Sequence, residues 1–153
     1  MNFEVVEATE AERSVMSRLL ELYCYDFSEF NGSDVDAQGE YGYRYLDLYW
    51  TEPDRSPFLI AVDGRWAGLA LVRSGDVHDM AEFFVMRKYR RSGVGRFAAG
   101  LVFEWFPGLW TVRQQISNPD ATTFWRSAIP YRFDETRTET EVIQCFQSGP
   151  ERH

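Results

Sequence analysis

Apolar and polar positions alternate or recur in blocks that predict most of the secondary structure. Phe3, Val5 and Val6 make a short strand of residues 3–7. Thr9 and Glu12 stand in a capping-box relation, so a helix is predicted to follow to about Tyr25, with Val15, Leu19, Leu22 and Tyr23 on one face. Residues 26–56 are polar, aromatic and rich in Gly and Asp. They read as a long loop with one short helix near Tyr41–Leu48, and a loop of that length in a compact domain marks a functional lid. Two apolar runs, residues 58–62 and 66–72, flank Asp63 and Gly64, the signature of a hairpin. A turn at residues 74–76 leads to a fourth strand over His78–Val85. Val94, Phe97, Ala98, Leu101, Val102 and Trp105 form a helical stripe over residues 94–106, closed by Pro107 and Gly108. A strand over Leu109–Ile116 is followed by Asn118 and Pro119, an N-cap with proline at the first helical position, and that helix stops before Pro130. Residues 131–133 and 139–146 read as two closing strands.

The order β-α-β-β-β-α-β-α-β-β defines the fold class: α/β (α+β), with a mixed, mostly antiparallel central sheet flanked by helices. The middle β-α-β unit predicts one parallel strand pair with a right-handed crossover. Residues 1–147 read as a single domain, with a frayed tail over 148–153.

Charge sharpens this picture. Sixteen Lys and Arg against 24 Asp and Glu give a net charge of −8, which argues against nucleic-acid binding. Yet Arg87, Lys88, Arg90, Arg91 and Arg96 put five cations within ten residues, a cluster suited to a small polyanion. No apolar run has the length of a membrane span, and the N-terminus lacks the pattern of a signal peptide, so a cytoplasmic location and no membrane partner are expected. Cys24 and Cys145 have no metal-ligand spacing and read as reduced, mostly buried thiols, and no metal site is expected.

The cationic cluster lies on a strand-to-helix junction. Gly93 and Gly95 there let the backbone approach a ligand, helix-start N–H groups point at an anion, and the flanking arginines add charge-assisted hydrogen bonds. These features predict a pyrophosphate site. Gly93-x-Gly95-x-x-Ala98 also matches a relaxed dinucleotide fingerprint, but residues 112–116, at the end of the next strand, hold no acid to bind a ribose, and antiparallel strands precede the motif. A phosphate-binding Gly-Lys-Ser/Thr is absent from this junction.

Arg90-x-x-Gly93-x-Gly95 after a strand resembles the acetyl-CoA loop of the GNAT N-acetyltransferase superfamily, Gln/Arg-x-x-Gly-x-Gly/Ala. Asn118-x-x-Ala121-x-x-Phe124-Trp125 resembles the family's next motif, Asn-x-x-Ala-x-x-Phe-Tyr. One helix and one strand separate the two, as the family requires. The match covers about residues 80–130, and the element order is similar over the whole chain. The resemblance implies an acetyl-CoA-dependent N-acetyltransferase in which the two parallel strands splay apart around the cosubstrate. Backbone groups near Val85 and Met86 would pair with the pantetheine arm. Arg90, Arg91, Ser92, Gly93, Val94, Gly95 and Arg96 would cradle the pyrophosphate, and Asn118 and Phe124 would flank the arm and thioester.

Amine acetylation needs a base, because an ammonium has no lone pair. Glu82 on the fourth strand is the first candidate, with His78 and Asp79 as alternatives; the competing reading has Glu82 facing solvent or pairing with an arginine. Trp125 replaces the family's Tyr, so the general acid falls to Tyr131 or to solvent. Acids and aromatics mixed through residues 26–56 suit a small cationic amine or, equally, a solvated loop. Neither cysteine lies near the motifs, so direct transfer to a primary amine in a ternary complex is expected. The alternative is a non-catalytic acyl-CoA-binding regulatory module. A homodimer is a further possibility, with exposed aromatics such as Trp110 at its interface.

Overall fold

A computed structural model of the chain describes residues 1–149. Seven strands form one sheet: β1 (Phe3–Glu7), β2 (Arg55–Val62), β3 (Arg65–Arg73), β4 (Val77–Val85), β5 (Gly108–Gln115), β6 (Phe133–Arg137) and β7 (Glu141–Ser148), in the spatial order β1-β2-β3-β4-β5-β7-β6. The helices are α1 (Arg13–Asn31), α2 (Val94–Trp105) and α3 (Pro119–Ala128). Every neighbouring pair is antiparallel except β4 and β5, whose parallel pairing is confined to Val77, His78 and Asp79 against Leu109, Trp110 and Thr111.

β2 and β3 are buried on both faces, which explains their nearly continuous apolar runs. On one face α2 and α3 cover Val72, Met80, Trp110 and Val112 with Phe103 and Trp125; on the other, α1 covers Leu59, Leu69, Leu71 and Phe84 with Met16, Leu19 and Leu20. Phe103 is fully buried, and cutting it to alanine would cost about 3–5 kcal/mol. At the far edge Arg126 of α3 pairs with Glu135 of β6 (2.7 Å), and the buried Gln144 of β7 bonds both Glu135 and Gln114.

One irregularity positions the site. Opposite β3, Leu71 faces Glu82 but Val72 faces Met80, so Ala81 is an extra residue in β4. A bulge of this kind bends a strand. It falls just beyond Asp79, where the pairing with β5 ends, while β5 stays paired with β7 as far as Gln115. The two parallel strands therefore splay from that point on.

Several expectations need correction. α1 runs to Asn31, two turns past Tyr25, because Phe27 and Phe30 extend its aromatic face and left-handed Gly32 ends it. The short helix near Tyr41–Leu48 is a 3-10 turn at Leu46–Trp50. β6 starts two residues late, and β7 keeps Gln147 and Ser148 paired with Leu109 and Gly108, so the tail does not fray at 148; residues 150–153 lie outside the described residues. Trp110 is 1% exposed and donates its indole N–H to the Phe106 carbonyl, so it offers no interface. Cys145 is exposed, since it alternates with buried Gln144 and Phe146 along β7.

Candidate active site

The splay exposes one edge of β4. Met86 donates its N–H to the Ala67 carbonyl (2.8 Å), so strand alternation turns the backbone groups of Val85 and Phe83 away from β3 and toward the gap. Of the two residues expected to pair with a pantetheine arm, Val85 faces the gap, and the Met86 N–H is bonded to β3. Gly68, opposite Val85, has no room for a side chain: a Cβ there would lie 2.0 Å from the Phe84 carbonyl oxygen.

The loop from β4 to α2 has an unusual backbone. Arg91 is left-handed (φ 64°), and so is Gly93 (φ 92°), the N-cap of α2. Left-handed backbone is sterically costly at arginine and cheap at glycine. Ser92 fixes the turn, donating its hydroxyl to the Tyr89 carbonyl (2.6 Å) and accepting the Val94 N–H (3.3 Å). The N–H groups of Gly95 and Arg96 in the first turn of α2 have no carbonyl partner within the helix. Arg91 is exposed, and among the described residues it has no hydrogen bond or ion pair. Arg96 reaches Ser127 on α3 (3.0 Å).

Arg90 is differently employed. Its Nε donates to the Val85 carbonyl (2.9 Å), and a terminal nitrogen meets Asp26 at 2.6 Å; Arg87 meets the same carboxylate at 2.7 Å. Burial works to raise the Asp26 pKa, but the hydrogen bonds from Arg90 and Arg87 outweigh it and hold it below the ordinary carboxylate value. Two of the five clustered cations are thus tied to α1.

Gly95 closes the cradle from α2. A Cβ there would sit 3.1 Å from the Phe124 ring and 3.5 Å from a Val85 methyl. Phe124 stacks on Phe83 with ring centroids 5.8 Å apart. Val85, Gly95 and Phe124 therefore converge at the splay. Asn118 accepts the Ala121 N–H on its side chain (3.3 Å), the cap its sequence predicts for α3. Trp125 is buried in the core, edge-on to Phe83 at 5.0 Å.

Glu82 sits at mid-strand beside the bulge and, like Phe84, faces α1. Its Oε1 accepts the Tyr43 hydroxyl (3.3 Å), and Tyr23 of α1 stands close enough to act on its charge. Burial raises the Glu82 pKa, the two phenols pull it back, Asp79 pushes it up again, and it ends above the ordinary carboxylate value. The competing reading of a solvent-facing or arginine-paired Glu82 does not hold. Burial and the nearby carboxylate raise both phenols, keeping Tyr23 and Tyr43 protonated as donors. Asp79 is raised by burial and opposed by Arg113 and Arg73. His78 is engaged at both nitrogens, Nε2 with the Pro107 carbonyl (3.1 Å) and Nδ1 with the Gly75 N–H (3.3 Å), and so braces the closed end of the splay. Tyr131 is not brought to Glu82: its ring stacks on Phe146 and meets Phe103 edge-on, toward the closed end. Cys24 lies nearer than its sequence position suggests, within electrostatic reach of Glu82. Burial first, then Glu21 and Glu82, raise its thiol pKa, which disfavours the nucleophilic thiolate.

The acetyltransferase (GNAT) family profile matches residues 17–128. No curated protein matches the chain in sequence. Among solved structures, an acetyltransferase from Thermus thermophilus superposes with a TM-score of 0.72 at 16% identity, covering 96% of this chain and 97% of that one. The ribosomal-protein-S18-alanine N-acetyltransferase of Escherichia coli gives 0.69 at 12% identity, covering 99% and 97%. The spermidine N-acetyltransferase of Vibrio cholerae, solved with CoA and spermine, gives 0.70 at 9% identity, covering 95% of each. At these identities the likeness is one of fold.

Proposed function

The chain belongs to the acetyltransferase (GNAT) family, and from that premise we propose that it transfers acetyl directly from acetyl-CoA to a primary amine of a small or cationic acceptor. The observation that carries this reading is the convergence of Val85, Gly95 and Phe124 where β4 leaves β5, beside a left-handed loop at the start of α2. That cradle fits the cosubstrate: a polar strand edge for an amide-bearing arm, helix-start N–H groups and Arg91 for phosphates, and no Cβ at Gly95. Val94 and Ser92 shape the turn, Arg96 and Asn118 hold α3 beside it, and Arg90 anchors the loop through Val85 and Asp26.

Acetyl-CoA supplies an activated acyl group and a thiolate leaving group. The chain's part is to hold the acceptor and move its proton. The acceptor enters as an ammonium, and Glu82 takes one proton from it to free the lone pair. The nitrogen–carbon bond replaces the carbon–sulfur bond, the nitrogen gives its second proton to solvent as the amide forms, and solvent returns one to the departing sulfur. With Cys24 held as a thiol, both substrates are bound together and no covalent enzyme intermediate forms. The fold neighbours named for spermidine and for a ribosomal-protein alanine support an amine acceptor. The alternative, a non-catalytic binding module, rests on Trp125 alone, and Trp125 packs in the core, where it carries no catalytic information.

Calorimetric titration with acetyl-CoA, with CoA and NAD in parallel, tests the reading. Micromolar acetyl-CoA binding is expected, weakened by Arg91→Ala and lost in Gly95→Glu, with no NAD binding. Absence of acetyl-CoA binding to the parent protein overturns it.

A further inference from the structure

Residues 32–45 form a strap over the α1 face of β4, and how it is fastened bears on Glu82. Both carboxylate oxygens of Glu21 accept strap N–H groups, those of Tyr41 (2.8 Å) and Gly42 (2.9 Å). Immediately after this anchor Tyr43 turns its hydroxyl onto Glu82 (3.3 Å). Two residues along α1 from the same anchor, Tyr23 packs on Phe84 with ring centroids 5.6 Å apart, which sets its phenol on the same face of β4 as Glu82 and within electrostatic reach of it. Tyr43 and the Arg55 guanidinium, 5.5 Å over the Tyr49 ring, are polar neighbours of the Tyr49 hydroxyl, which is buried and outside hydrogen-bond geometry with any described residue.

We infer that Tyr43 and Tyr23 are positioning residues for Glu82: two phenols, one from the strap and one from α1, hold a single carboxylate on β4, so the base is assembled only while the strap lies on the sheet. This rests on the reading of Glu82 as the proton acceptor. A carboxylate moved out of water without donors keeps its proton and cannot act as a base. Here the donors are fixed in that role, because a phenol beside a carboxylate does not ionise near neutral pH. The other titratable groups facing Glu82 are few. Asp79 on β4 opposes its ionisation, Cys24 on α1 and Tyr49 in the 3-10 turn remain neutral, and Arg73 and Arg113 act on Asp79. Among the described residues no cation pairs with Glu82, so the phenols are what draws its pKa down against burial.

Carboxyl carbon NMR of glutamate-labelled protein without acetyl-CoA reads this directly, the Glu82 signal being assigned by its loss in Glu82→Gln. Tyr43→Phe and Tyr23→Phe should each move the Glu82 titration midpoint upward. The acidic limb of the kcat/KM profile should move the same way, with activity falling on the order of tenfold, the worth of a hydrogen bond to a charged group. A midpoint that stays put or falls in both folded variants overturns the inference; should Tyr23→Phe fail to fold, Tyr43→Phe decides alone. Failure of the base reading looks different: Glu82→Gln would then keep the parent's acidic limb, whatever the phenols do to the NMR midpoint.

Discussion

Glu82 meets two opposed demands. As the proposed base it would have to ionise to accept a proton, yet it is placed where burial favours the neutral acid. Its pKa in the folded chain lies above the unfolded value of about 4.3. The folded state therefore binds the proton more tightly than the unfolded state, and stability falls as pH rises through the window between the two values. Below that window both states are protonated and the cost is absent. Glu82→Gln keeps the shape of the neutral acid and cannot ionise. Thermal melts across the acid-to-neutral range should show it more stable than the parent above the window and equal to it below. Activity should fall on the order of 100-fold or more, the scale of a lost general base. A glutamine variant that melts lower at neutral pH would mean the two phenols contribute more to the charged form than burial removes.

At the scale of elements, the site depends on β4 leaving β5 while staying tightly bound to β3. Ala81 supplies the bend, and Gly68 supplies the close approach, since its Cα faces Val85 and any Cβ would collide with the Phe84 carbonyl. Gly93 is needed for a different reason: nothing would touch a Cβ there within 3.9 Å, but its φ of 92° is one that L residues resist. Two alanine substitutions separate these causes. Gly93→Ala should cost about 1–2 kcal/mol in denaturant unfolding, the price of one left-handed residue. Gly68→Ala should cost at least about 3 kcal/mol, because the clash is with the β4 backbone at Phe84 and Val85 and no rotamer relieves it. Equal losses would mean β3 and β4 can part at Gly68, which the splay geometry forbids.

Taken as a whole molecule, the chain shows which information is local. The order of strands and helices, the loop at Arg90, Gly93 and Gly95, and the cap at Asn118 were legible because period, turn chemistry and motif act over a few residues. What stayed hidden was tertiary. Asp26 claims Arg87 and Arg90 from more than sixty residues away, Tyr43 reaches Glu82 from thirty-nine residues away, and Cys24 comes within electrostatic reach of that carboxylate. The end of α1 was hidden too, because Asp26 and Glu29 interrupt a stripe that Phe27 and Phe30 resume. Charge gives the same lesson in energetic form. A net charge of −8 repels an anionic cosubstrate, and two of the five clustered cations are already answered by Asp26. In the proposed site attraction then falls to contact groups, namely Arg91, Lys88, Arg96 and the helix-start N–H groups. At physiological salt the Debye length is about 8 Å, so contact groups act while most of the distant acids are screened. A ligand held this way stabilises the fold by mass action, about 2.7 kcal/mol at a hundred times its Kd. For a chain of this size each kcal/mol moves Tm by roughly 2–4 °C, so acetyl-CoA and CoA should each raise Tm by about 5–10 °C at that saturation. NAD carries a pyrophosphate but no pantetheine arm for the Val85 edge, and should leave Tm unchanged. A shift with NAD equal to that with CoA would mean that the loop alone binds and that the splay contributes nothing.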